Sequence, residues 1–422
     1  MEEKTLDAKQ AEQQFNIWDH TVPVEKSAYL VEDAQYLNYD NLVAPPEDKY
    51  TMIDLFCGAG GFAVGCGFAG FQSVLGIDHF EPAMETWITN HPQAFGCLGD
   101  IRAIDPEKMK SMLEAKGITK IHLLTGGVPC QGFSRANRKH NDNDERNFLF
   151  LEYMKYVKVF QPDYIILENV SGMRTTAGGK FEEDIIQCME ELGYTTTVKL
   201  INAADFGVPQ MRLRLVFVGV KRGQGLKEKF EFPTGEFGDS ESEGQQTLFS
   251  LTKKPYRTVA DAISDLPELN NNETITEYSL PPQTEYQEIM RGVAGLYGIE
   301  KPSHLANHVA PNHPEETVQK IARTEPGKPM YEKFKQRIRL RMDQPSPTQL
   351  AGGIRPQFQF GHPTQARGLS IRERARIQSF PDSYVFKGGT VQERVQTGNA
   401  VPPLMIYALA KEIADDLNHK YR

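Results

Sequence analysis

The stretch TMIDLFCGAGGF (51–62) decides how the chain is read. Its first six residues have the composition and length of a buried strand, its glycines at 58, 60 and 61 make a turn, and a helical apolar period follows over about 61–70. Strand, turn and helix in that order open a βαβ unit. The alternation continues outward. SVLGID (73–78), CLGDI (97–101), IHLLTGG (121–127) and DYIILENV (163–170) are strand candidates, with helices expected from about Glu81 to Asn90, over 148–160 and over 180–193. TTTVKLIN (195–202) and RLVFVGV (214–220) are β-branched runs close enough to pair antiparallel. The expected fold class is α/β, a doubly wound, mostly parallel sheet.

The pattern breaks after Val220, and residues 255–345 are dense in proline, asparagine and histidine with no clear period. Helical patterning returns at 370–379 and 403–418, where Pro403 marks a helix start. This divides the chain into an N-terminal extension (1–48), a ligand-binding α/β domain (49–225), a smaller second domain (226–350) and a C-terminal part (351–422) whose last helices return to the first domain. No apolar run reaches the roughly 18 residues of a membrane span. The cysteines, Cys57, Cys66, Cys97, Cys130 and Cys188, are odd in number and form no CxxC pair, which points away from a disulfide or zinc framework and towards a reducing cytoplasm. The net charge of −9 disfavours a polyanionic partner, but residues 321–376 hold twelve Lys/Arg against four acids. Their densest run is KFKQRIRLR (333–341), and a local basic stripe outweighs the overall sum.

Gly58-x-Gly60-x-x-Ala63 fits a nucleotide-binding βα turn, and Asp78 ends the next strand twenty residues later, where it can hold ribose hydroxyls. A dinucleotide and S-adenosyl-L-methionine compete for such a turn. Asp54, four residues before Gly58, favours the second, because a carboxylate repels pyrophosphate and attracts a sulfonium and an ammonium. Asp100, at the end of the third strand, then suits the adenine amino group. The sequence GGVPCQGFS (126–134) puts Cys130 just past the fourth strand, at the carboxyl edge where open α/β sheets bind ligands. A thiolate there is a strong nucleophile. Adding it to carbon 6 of a cytosine makes carbon 5 enamine-like, and that chemistry needs an acid near ring nitrogen 3. Glu168, ending the fifth strand, is the candidate.

In these features the chain resembles the cytosine-5 DNA methyltransferases. DLFCGAGGF (54–62), GIDHFEPA (76–83), GDI (99–101), GGVPCQGFS, ENV (168–170), DFGVPQMRLRLVFVGV (205–220), RERARIQSFPD (372–382) and TGNAVPP (397–403) look like eight of that family's motifs in their order, covering about 51–220 and 345–418. The unlike stretch between them is where the family keeps its target recognition domain. The resemblance implies a Rossmann-like methyltransferase domain and a methyl group passed from S-adenosyl-L-methionine, with S-adenosyl-L-homocysteine as product, to a flipped-out cytosine in duplex DNA. It assigns catalysis to Cys130, Glu168, Arg214 and Arg212, and the cofactor to Asp54, Phe56, Gly58, Gly60, Gly61, Asp78, Asp100, Ile101, Asn399 and Val401. DNA falls to Gln131, Phe133 and Ser134 beside the emptied base position, and to Lys333, Lys335, Arg337 and Arg339 on phosphates. A monomer and a paired restriction endonuclease fit the same resemblance. Met211 and Leu213 depart from the family's usual residues around the two arginines.

Other readings of the same residues exist. One branch of the family acts on transfer RNA but is shorter where this chain carries 255–345. A nicotinamide oxidoreductase would use the glycine turn, against the charge of Asp54. His304, His308 and His313 (HLANHVAPNHP) have metal-like spacing, but no cysteine accompanies them, and no metal is assigned.

Overall fold

The computed structural model describes residues 34–129, 149–239, 253–351 and 359–422. The expected alternation is present as β2 (Tyr50–Leu55), α1 (Gly61–Phe68), β3 (Phe71–Asp78), α2 (Glu81–Asn90), β4 (Phe95–Leu98), α3 (Pro106–Glu114), β5 (Leu123–Gly127), α4 (Leu149–Phe160), β6 (Tyr164–Val170), α5 (Lys180–Glu191), β7 (Tyr194–Asn202), β8 (Gln210–Met211) and β9 (Leu213–Lys221), preceded by β1 (Gln35–Leu37). Eight of these strands form one sheet in the order β1-β4-β3-β2-β5-β6-β9-β7. β4, β3, β2, β5 and β6 run parallel, and β9 lies antiparallel to both β6 and β7. The order reverses beside β2, so the crevice at the carboxyl ends of β2 and β5 is the topological switch point where such sheets take ligands.

Both faces are covered, as strands that are apolar on both sides require. One face packs Ile53, Leu75, Leu124 and Ile165 against α3, α4 and α5 through Met109, Tyr153 and Ile185. The other packs Met52, Leu123, Ile166 and Val216 against α11 (Pro403–Tyr421). That second core runs on without a break into α6 (Val259–Ile263) and α7 (Glu285–Met290) through Ile263, Tyr286 and Met290. The stretch without a readable period thus contains α6, α7 and α8 (Glu315–Arg323), each too short to show one. Within the expected extension, residues 35–37 add an edge strand to the sheet, paired antiparallel with β4. After α9 (Ile371–Ile377) comes α10 (Thr390–Asn399), whose only large apolar residues are Val391 and Val395, too few to announce an apolar stripe.

The C-terminal return rests on two glycines of α1. A Cβ on Gly61 would collide with the Val401 carbonyl, and one on Gly65 would lie 2.5 Å from the Pro403 carbonyl. Only a bare Cα lets α11 lie this close. Gly61→Ala is expected to cost about 1–3 kcal/mol, the usual range for overpacking a core. Urea denaturation will show this as a lower midpoint at an unchanged slope.

Candidate active site

The site forms where β2, β3, β5 and β6 end together. At its cofactor side β2 leads into a turn in which Phe56, Gly58 and Gly60 all take positive φ, 54°, 50° and 82°. Phe56 is not a glycine, so the turn holds it in a sparsely populated region. Asp78 fixes the turn, because its Oδ2 accepts the Gly58 amide at 2.8 Å while its Oδ1 accepts the Phe80 amide at 2.8 Å. From behind, Tyr384 donates its hydroxyl to the Ala59 carbonyl at 2.7 Å and leaves no room for a side chain on Gly60. In front, a Cβ on Gly58 would meet nothing within 4 Å. A turn packed hard behind and open at Gly58, leading into the N-terminus of α1, fits an adenosyl ligand lying across it.

The acids divide the work differently from a row of three ligand contacts. Asp54 is fully buried beneath the turn, with Oδ1 accepting the Thr125 hydroxyl at 3.0 Å. Its Oδ2 and the buried Trp87 indole nitrogen close no hydrogen bond of ordinary geometry, although the indole is near enough to favour the charged form. Burial dominates and lifts the Asp54 carboxyl to about 8. Burial therefore works against the negative charge that the sequence argument assigned to Asp54. Asp100 gives both carboxylate oxygens to Arg102, the closest at 2.6 Å, and caps the short helical turn that begins at Ile101. Burial works to raise Asp100, but the Arg102 bonds hold it below the ordinary carboxylate range. Val401 is buried and Asn399 exposed beyond α1.

On the other side, register sets Gly127 of β5 against Glu168 of β6, and Val170 against Arg214 of β9. Because β9 runs backwards, its first residues rather than its last stand at the carboxyl edge. Arg214 Nε lies 2.6 Å from Glu168 Oε1, an ion pair at an angle that leaves Oε1 without a well-formed hydrogen bond. Burial raises the Glu168 pKa against the pull of Arg214 and Arg212. A Cβ on Gly127 would lie 3.5 Å from Glu168 Oε2 and 3.9 Å from both Phe62 and Val401, so these groups wall one space. Asn169 donates to the Val128 carbonyl at 3.0 Å, anchoring the chain two residues before Cys130. Cys130, Gln131, Phe133 and Ser134 themselves lie outside the described residues.

Two arginines assigned from sequence have their donors in use elsewhere. Arg212 is buried and donates to the carbonyls of Gln349, Gly398 and Ala400 at 2.9, 3.0 and 3.0 Å. It clasps Gln349 and the C-terminal motif to the end of β8, while its buried Nε has no hydrogen-bond partner. Arg339 donates to the carbonyls of Ile321, Ala322 and Thr324 and so closes the C-terminus of α8. Part of the basic stripe is likewise internal: Arg367 pairs with Glu373, and Arg376 with Asp382 and Asp265. Lys333 and Lys335 are exposed, and Arg337 lies over the Phe334 ring at 4.5 Å. His308 bridges Ser370 and the Pro267 carbonyl, and His313 accepts the Gly368 amide. A charge pattern marks how many arginines a segment has but not which carbonyl each will meet.

Asp54 gives a pH signature. With its pKa lifted to about 8, the folded chain holds a proton that the unfolded chain releases near pH 4. Stability therefore falls as pH rises from about 4 to about 8. Asp54→Asn should remove that component, so melting temperatures measured from pH 6 to pH 8.5 will fall less steeply in the variant than in the wild type.

Residues 50–415 match the family model of the C-5 cytosine-specific DNA methylases. The Type II methyltransferase M.AgeI of Thalassovita gelatinovora is 33% identical, covering 86% of this chain and 98% of its own. M.DdeI of Desulfomicrobium norvegicum is 34% identical, with 86% and 88% covered. Among solved structures, an Escherichia coli prophage protein described as a DNA modification methyltransferase superposes with a TM-score of 0.68 at 24% identity, covering 88% of this chain and all of that one. The Dnmt2 methyltransferase of S. pombe gives 0.57 at 17%, covering 88% of this chain and all of that one. Both likenesses are of fold.

Proposed function

Because the chain belongs to the C-5 cytosine-specific DNA methylases, and is thus a DNA cytosine-5 methyltransferase, we propose that it methylates a flipped-out cytosine in one short duplex sequence through a covalent adduct of Cys130. The observation that carries the mechanism is the buried Glu168–Arg214 pair beside Gly127, three residues before Cys130. S-adenosyl-L-methionine, when bound, supplies an electrophilic methyl group and leaves as S-adenosyl-L-homocysteine. Phe56, Gly58, Asp78 and Ile101 would hold it, with Asp100, Asn399 and Val401 at the margins and Asp54 supporting the turn from below.

The Cys130 thiolate adds to carbon 6 of the cytosine. The electrons displaced from the ring need a partner at nitrogen 3, and Glu168, whose burial favours its protonated form, holds a proton there. Arg214 faces the adjacent carbonyl oxygen, where negative charge grows during addition, in a site dry enough for that charge to count. Carbon 5 becomes electron-rich, the position this family methylates. Loss of the carbon-5 proton and expulsion of the thiolate then restore the ring. The Type II relatives support a paired restriction endonuclease in the cell. The transfer RNA reading is not favoured, since the relatives that match most of the chain are Type II enzymes.

Bisulfite sequencing of a plasmid carrying the gene, from a host without cytosine methylation, should show cytosines protected within one recurring sequence. Cys130→Ser should abolish that protection while DNA and S-adenosyl-L-homocysteine binding persist. Protection by the serine variant at wild-type levels would remove Cys130 as the nucleophile. The two arginines should separate. Arg212→Met strands three buried carbonyls and is expected to destabilise the fold by about 3 kcal/mol or more. Arg214→Lys should leave the melting temperature within a few degrees and cut single-turnover methyl transfer by about 100-fold or more.

A further inference from the structure

One half-buried cation has no partner that the fold or the mechanism explains. Arg394 lies in the second turn of α10, and its Nε is buried without a hydrogen-bond acceptor. Its charged surroundings are other arginines. Arg374 of α9, itself 3% exposed, donates Nε to the Thr397 hydroxyl at 2.9 Å, and its Nη2 reaches the Leu350 carbonyl at 3.1 Å and Arg394's own carbonyl at 3.4 Å. These are neutral acceptors, and among the described residues neither Arg374 nor Arg394 has a carboxylate within ion-pair distance. Burial and then Arg394 push Arg374 down to about 9, while burial and then Arg337 lower Arg394.

Two guanidinium groups, one buried and one half-buried, brought close together without an acid work against folding. Such an arrangement is explained if an anion completes it. Arg374 and Arg394 stand at a small, partly open cavity whose walls are otherwise largely apolar, Pro311, Phe360, Leu369 and Ile371, with Gln359 and Thr390, the first residue of α10, as its further polar groups. The amides of a helix N-terminus add to the attraction for negative charge. The cavity is not isolated. Arg337 is near enough for its charge to be felt at Arg394, and the exposed Lys333 and Lys335 precede it, so the positive field continues onto the second domain. An extended basic face suits a polyanion better than a small ion.

Building on the proposed duplex substrate, we infer that Arg394, backed by Arg374, binds a backbone phosphate of the DNA. The contact ties the last motif of the catalytic domain to the same strand that the second domain grips. It positions the duplex and carries no base specificity.

The test compares full-length wild type with Arg394→Gln by fluorescence anisotropy on a methylatable duplex and on one of unrelated sequence, from about 50 to about 200 mM KCl. The variant is expected to bind both duplexes about 3- to 30-fold more weakly at the lowest salt. Its log–log salt slope should be smaller by about 0.9, one phosphate contact. Its melting temperature should equal or exceed the wild type's, since a like-charge repulsion is relieved, and S-adenosyl-L-homocysteine binding should be unchanged. Wild-type affinity and slope in the variant would overturn the inference, as would a loss of binding accompanied by a lowered melting temperature, which would make Arg394 a structural residue. A melting temperature raised by inorganic phosphate in the wild type alone, with identical DNA isotherms, would assign the cavity to a free anion instead. If the wild type itself fails to bind duplex DNA, the substrate reading falls and this inference with it; a binding wild type matched by its variant sinks the inference alone.

Discussion

The approach of the Val401 backbone to Gly61 is the constraint on which the site depends. The C-terminal chain has to reach the first helix for the last motif to wall the space beside Gly127, and a single methyl group on Gly61 would hold it away. Arg212 secures the same junction from the other side, gathering carbonyls from Gln349, Gly398 and Ala400. A buried guanidinium suits this task because its five donors point in fixed directions and its charge strengthens every bond it makes. The clasp brings segments 137 to 188 residues further along the chain to one carboxyl edge.

Within that frame the chemistry is set by how water is excluded. Glu168 and Arg214 neutralise one another in part, but burial outweighs the attraction enough to raise the carboxyl rather than lower it. A carboxylate paired to arginine at a wet surface would be a poor proton holder, and the dry edge makes the same residue a useful one. Asp54 meets the same physics with another result. It lies deeper, accepts the Thr125 hydroxyl rather than pairing with a cation, and braces the turn with its carboxyl pushed up by burial.

Much of this was legible in the sequence because the deciding signals are local. β2, its glycine turn and α1 announce themselves through composition, and Glu81–Asn90 and Lys180–Glu191 follow from apolar period and flanking residues. The antiparallel pairing of β7 with β9 was readable from two adjacent β-branched runs. What stayed hidden is non-local or weakly patterned. β1 is three residues long and shows itself only through its pairing with β4. α3 carried a local signal, Asp105 capping with Pro106 at the first position, but little apolar content. Arg212 and Arg214 stand two apart in one motif, and only the tertiary fold sends one to backbone carbonyls and the other to the Glu168 carboxylate.

The RERAR stretch carries the same lesson into the second domain. Arg372, Arg374 and Arg376 read as a basic surface, yet all three are buried. Arg372 gathers the carbonyls of Ala306, Pro381 and Tyr384, and Arg376 sits between Asp382 and Asp265. Arg291 reaches Asp265 from α7's C-cap, and Tyr278 donates to Asp382. Buried ion pairs of this kind add little net stability, because desolvation offsets their attraction, but breaking one partner strands a charge. They therefore act on register more than on depth of the energy well. A network that joins α6, α7 and the turn after α9 admits few alternative seatings of the 255–345 segment. For an enzyme whose site is assembled from distant segments of chain, restricting the seating matters more than strengthening it.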